Sequence, residues 1–189
     1  MMGFYKSEFS SSTIKPLDSK NKFSISTFAF FQKFYRKEDI LFDETGVQTS
    51  VYWNFTKHLS VGSSLYYNSV SGLSEKLSFL ILVRGSHVTF VAIPSLFHTE
   101  NDGNINGGLF FQLQFMKHIK GEWNFLVNTQ ILTEWNSFSI HSRSFEQVRI
   151  GVAYKTNQFG LAADFDAYGH PQIWKKSIGV FVRKVFPGN

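Results

Sequence analysis

A chain of 189 residues suits one domain, and with 43% hydrophobic against 17% charged residues it is not a disordered one. Its net charge of +5 comes from cations scattered singly or in pairs, of which Lys175–Lys176 and Arg183–Lys184 are the densest, so no basic face for nucleic acid is formed. The absence of Cys excludes a disulfide framework, a zinc–thiolate site and a Cys nucleophile, and no apolar run reaches the ~18 residues of a helical membrane span.

Residues 1–22 are polar and mixed. They contain neither an apolar h-region nor a small-residue cleavage site, so no secretory signal is visible, and they are expected to form a tail or a plug. From Phe23 onward a period of two recurs, the mark of strands with two unlike faces. Strands are predicted near 23–34, 46–56, 59–68, 76–84, 87–97, 107–117, 122–133, 146–155, 158–168 and 173–186, about ten in all within a range of about 8–12. In the second, Val47, Thr49, Val51, Trp53 and Phe55 alternate with Gln48, Ser50, Tyr52 and Asn54. The fifth is the least regular, because Pro94 removes a backbone donor and the alternation blurs over Val91–Ile93. In the sixth, Leu109, Phe111, Leu113 and Phe115 alternate with Phe110, Gln112 and Gln114. In the ninth, Phe159, Leu161, Ala163 and Phe165 alternate with Gly160, Ala162, Asp164 and Asp166.

The connections alternate as well. Lys57–His58, Gly85–Ser86, His118–Gly121 and Thr156–Asn157 are short, whereas 35–45, 69–75, 98–106 and 134–145 are longer. An antiparallel up-and-down barrel places every second connection at the same end. Short turns at one end and longer loops at the other, joined by strands of about 9–11 residues or slightly more, fit a single all-β transmembrane barrel with periplasmic turns and extracellular loops. The expected layout is a periplasmic tail or plug at 1–22, the barrel at 23–186 and a tail at 187–189.

Face by face, the pattern assigns roles. Trp53, Phe55, Phe115, Trp123, Phe125, Tyr154, Phe159 and Phe186 fall on the apolar face near the short turns, where a membrane girdle would lie. The polar face would line the lumen. Its last three strands carry Arg149, then Asp164 and Asp166, then Lys175 and Arg183. An unpaired buried charge costs several kcal/mol in practice, so Asp164 and Asp166 are expected to pair with Arg149 and Arg183 in a lumen charge network. The alternative is a selectivity constriction.

Catalytic patterns are thin. No metal-ligand spacing, no phosphate-binding Gly loop and no cofactor motif occurs. Asp166 and His170 lie near one strand end, as do the acids and His that activate water in outer-membrane proteases, but the spacing differs and strand nine alone supplies both acids. Ile140-His141-Ser142-Arg143-Ser144 with Glu146 is similar to the Ser–His–acid set of lipid A deacylases, although adjacency in a loop does not itself place a base beside a nucleophile. The sequence therefore assigns no catalytic residue; Asp166, His170 and His141 are its candidates.

The segment Ser177-Ile178-Gly179-Val180-Phe181-Val182-Arg183-Lys184-Val185-Phe186 resembles the last strand of bacterial outer-membrane barrels, with Phe186 as the closing aromatic and Gly179 several residues earlier. Val51–Gly62 resembles the hairpins of such barrels, especially those of Bacteroidota. The resemblance implies a porin-like barrel of a Gram-negative outer membrane, in contact with lipid, the assembly machinery and other envelope proteins, and without a cofactor or nucleic acid. The expected role is structural, accessory or that of a narrow channel. A soluble lipocalin-like ligand-binding barrel and a barrel enzyme are the alternatives.

Overall fold

A computed structural model describes residues 2–3, 5–100 and 102–186. Alternating side chains produce strands with one polar and one apolar face, and a long series of these has no free edge only when it closes on itself. The chain does so through β1 (Met2–Gly3), β2 (Lys6–Pro16), β3 (Phe23–Phe34), β4 (Glu44–Asn54), β5 (Leu59–Asn68), β6 (Gly72–Arg84), β7 (Val88–Thr99), β8 (Asp102–Lys120), β9 (Trp123–Asn136), β10 (Ile140–Tyr154), β11 (Asn157–Tyr168) and β12 (Ile173–Lys184). Each strand pairs antiparallel with its chain neighbour, and β1 pairs with β12 to close the ring. The fold is thus the expected all-β up-and-down barrel, with twelve strands among the described residues rather than about ten.

The additional strands correct the reading of residues 1–22 as a tail or plug. Lys6–Pro16 pairs with β3 along its whole length, from Lys6↔Phe34 to Pro16↔Ser24. The signal was weak because Ser10, Ser11, Ser12 and Thr13 supply no apolar alternation, so over that stretch the strand is held by its ladder. Closure is brief: Met2 faces Val180 on one side and Ser7 on the other, and Gly3 faces Gly179. The expected tail at 187–189 lies outside the described residues.

Strand boundaries also shift. β8 runs for 19 residues and β10 for 15, so much of the sequence expected as long loops at 98–106 and 134–145 continues the ladder. The largest remaining connection at that end, between β3 and β4, carries a short 3-10 helix at Lys37–Phe42. Pro94 does lie in a strand, and the β6–β7 pairing is interrupted there between Ser78↔Ser95 and Ile81↔Ala92 and resumes in the same register, as expected where a ladder N–H is missing.

At the opposite end the β2–β3 turn is organised by Asp18. Its carboxylate accepts the backbone N–H groups of Phe23 at 2.6 Å, Lys20 at 2.8 Å and Lys22 at 3.1 Å. These bonds, that from Phe23 foremost, hold its carboxyl below the ordinary carboxylate value. A depressed acid stabilises the fold above its unfolded value, about 3.9, and that contribution disappears as pH falls through the lower folded value. The protection of the Phe23 amide, taken as its exchange rate relative to the intrinsic rate at the same pH, should therefore fall in acid, and Asp18→Ala should show the low protection already at neutral pH. Equal protection in both proteins would show that the turn does not depend on Asp18.

Candidate functional site

Contacts between strands that are not neighbours in the ring can be made only through the lumen, and they identify the inward face. Arg143 of β10 pairs with Glu44 of β4, on the opposite wall. Lys76 of β6 reaches Glu134 of β9 at 3.1 Å. Lys6 of β2 meets Asp166 of β11 at 2.8 Å and Asp164 at 3.2 Å. The inward face of β2, β4, β6, β9, β10 and β11 is therefore the one that carries the charged side chains, as the alternation predicts for those strands that it covers.

Lys6 is the centre of the lower network. Its side chain is fully buried, and its ammonium also donates to Gln32 Oε1 at 3.0 Å. Glu8, two positions along the same face, stands 3.7 Å from it. Gln147 donates to Glu8 at 2.9 Å, and Arg149 lies 3.5 Å from Glu8 and donates to Gln147 at 2.9 Å. Charges that would be costly alone are thus compensated by direct contacts.

A second layer lies nearer the 3-10 helix. Lys175 pairs with Asp39 of that helix, and its ammonium sits 4.8 Å from the Phe42 ring. Phe42 packs on Tyr168 at 4.7 Å, and the Arg143 guanidinium is 5.4 Å from Tyr168 and 5.9 Å from Phe30. The connection between β3 and β4 therefore folds over the barrel mouth and is anchored inside it. Beside this, a cavity of about 200 Å³ is bounded by Tyr66, Phe97, Lys76, Glu134, Asn106 and Thr99.

The sequence-derived lumen residues face inward, but with different partners. Asp164 and Asp166 are held by Lys6, not by Arg149 or Arg183. Arg149 belongs to Glu8 and Lys175 to Asp39. Arg183 makes no ion pair among the described residues; it faces Gln158 across β11–β12. Lys6, Glu8, Asp39, Glu44 and Arg143 were missed. Lys6 and Glu8 do show period-two spacing in the sequence, but β2 carried too little apolar contrast to be read as a strand.

The aromatic positions lie on the outer face. Trp53, Phe55, Trp123, Phe125, Tyr154, Phe159 and Phe186 are exposed and Phe115 is half-exposed. Trp53 packs on Phe55 at 4.3 Å, and Trp123 on Tyr154 at 4.8 Å and on Phe159 at 6.2 Å.

Of the catalytic candidates, Asp166 is engaged by Lys6 inside the lumen, whereas His170 is exposed in the β11–β12 connection. His141 is different. The β9–β10 register shifts between His141 and Arg143, so His141 lies opposite outward-facing Trp135. Its Nε2 stands 2.9 Å from Ser144 Oγ and its Nδ1 3.0 Å from the Gly169 carbonyl. Glu146, expected beside them, is exposed farther along the strand and makes no described contact with His141.

No family model matches the chain, and no curated protein matches it. Among solved structures it is similar to one described as a bacterial polysaccharide outer membrane secretin, with a TM-score of 0.46 and 12% identity over 92% of this chain and 67% of that one.

Proposed function

We propose that the chain is an integral outer-membrane β-barrel with a structural, accessory or narrow-channel role. The observation that carries this reading is the inverted placement of side chains. Lys6, Asp164, Asp166, Arg149 and Glu44 are buried inside, while Val182 is 80% exposed and Leu161 67% exposed on the outside. Water gains nothing from a wall of exposed aliphatic and aromatic groups, and hydrocarbon does. A lipocalin-like barrel needs the reverse arrangement.

Strand length supports the same reading, since the strands from β2 to β12 run from 10 to 19 residues and a tilted span needs about 9–11. Ion pairs that cross the lumen favour a closed or narrow interior over a wide pore. The partners are then outer-membrane lipid along the wall, the machinery that inserts such barrels, and envelope proteins at the rims. The test is electrophoretic. Protein folded in detergent should run as a compact band that shifts on boiling and should sediment with membranes. A monodisperse, detergent-free soluble monomer would overturn the assignment.

A further inference from the structure

We propose that Ser144 and His141 form the nucleophile and base of an ester-hydrolysing site on the outer wall, acting on long-chain fatty acyl esters. The proposal rests on the membrane reading only for where the substrate is met. Three independent features of the fold build the site.

The first is the bulge. In an uninterrupted strand His141 would share the inward face of Arg143, opposite in direction to Ser144. The register shift between His141 and Arg143 adds a residue and turns His141 to the face of Ser144.

The second is the tautomer. A carbonyl can only accept, so the 3.0 Å contact with Gly169 O requires the proton on Nδ1. In the neutral ring Nε2 is then bare, and it faces the Ser144 hydroxyl at 2.9 Å. The clamp is reciprocal: Gly169, in the left-handed region at φ +69°, donates its N–H to Ser142 O at 2.8 Å within the bulge. A backbone carbonyl thus orients the base in the role a carboxylate often fills. The Ser144 proton has one other acceptor, Thr133 Oγ1, at 2.9 Å, and the Thr133 hydroxyl retains its own proton beside the nucleophile.

The third is an apolar groove of about 250 Å³ on the outer face, lined by Leu77, Phe79, Pro94, Leu96, Trp135 and Phe138. It exists because Gly107 leaves the outside of β8 bare between Leu96 and Trp135, and Phe138 lies where a Gly107 Cβ would stand, 2.5 Å away. Trp135 lines this groove and is also the cross-strand partner of His141. The groove is about two strand spacings, or roughly 10 Å, from Ser144, within reach of an extended acyl chain whose ester lies at the hydroxyl. A fatty acyl chain is therefore the occupant.

In the reaction Ser144 Oγ bonds to the ester carbonyl carbon while His141 Nε2 takes its proton. The bond from that carbon to the alcohol oxygen breaks, His141 returns the proton to the departing oxygen, and Ser144 is left acylated. Water then adds to the acyl carbon and gives a proton to Nε2. The Ser144–acyl bond breaks, Ser144 recovers the proton, and a carboxylic acid leaves.

The experiment uses the full chain, both in detergent micelles and in detergent-free buffer, with a fluorophosphonate probe and 4-nitrophenyl esters of butyrate, decanoate and palmitate. The probe should attach to Ser144, located by peptide mass. Ser144→Ala, His141→Ala and His141→Gln should each lower decanoate hydrolysis by about 100-fold or more. Trp135→Ala should lower palmitate turnover relative to butyrate. A wild-type protein that leaves Ser144 unmodified, or variants that hydrolyse as the wild type does, would overturn the proposal. Because labelling is read on the wild type, it does not depend on variants folding. The heat-shift assay separates the two readings: a barrel that shifts but does not label loses only the esterase site, and a soluble protein that labels Ser144 loses only the membrane assignment.

Discussion

Lys6→Met is expected to lower folding stability by about 3–5 kcal/mol, the usual cost of removing one partner from a buried ion pair. The replacement keeps the length of the side chain and removes the ammonium. Asp166 loses its 2.8 Å contact and Asp164 its 3.2 Å contact, and Gln32 loses a donor. Neither acid is open to bulk solvent, since Asp164 is fully buried and Asp166 nearly so. Urea unfolding in micelles, followed by Trp fluorescence, measures the loss. The charge origin is checked by repeating the substitution in an Asp164→Asn, Asp166→Asn background, where the effect of Lys6→Met should shrink because the uncompensated charges are gone. An unchanged unfolding midpoint in the single variant would mean that the network does not hold the lumen.

Gly179→Val should prevent closure of the ring. Gly179 faces Gly3, and a Cβ at Gly179 would stand 2.1 Å from the Met2 carbonyl oxygen and 2.4 Å from the Gly3 Cα. Both are backbone atoms of the closing strand, so no rotamer relieves the clash. Overpacking of this kind costs about 1–3 kcal/mol where a core can yield, and here it falls on a strand of only two residues. The compact heat-shifting band should be lost. Gly103→Val is the control, since nothing lies within 4 Å of its added Cβ. Retention of the compact band in Gly179→Val would show that β1 is dispensable for closure.

The two variants probe parts of the molecule that differed in how well they could be read. Gly179 was singled out within a final-strand pattern, but its need for close approach to Gly3 appears only when residues at opposite ends of the chain are paired. Asp164 and Asp166 were placed inside because the alternation of β11 is local: neighbours two apart share a face whatever surrounds them. Their partner was not legible, because Lys6 lies 160 residues from Asp166 along the chain and enters through a Ser-rich strand with little periodic signal. The cations expected as partners, Arg149 and Arg183, lie at other positions along the lumen, and register rather than proximity in the chain decided which charge met which.

The same division applies to the outer wall. His141 and Ser144 could be noticed as residue types, but parity alone would have placed them on opposite faces, and a bulge cannot be read from a period of two. By itself, the sequence determined that the chain is all β, that most of its strands alternate between a polar and an apolar face, and that the two sets of side chains separate into inside and outside. Those properties depend on residues one and two positions apart. Only the tertiary structure decided the number of strands, the closing pair β1–β12, the Lys6 network and the contact of His141 with Ser144 and Gly169. Each depends on ring closure and register, which bring together groups whose separation along the chain carries no periodic trace.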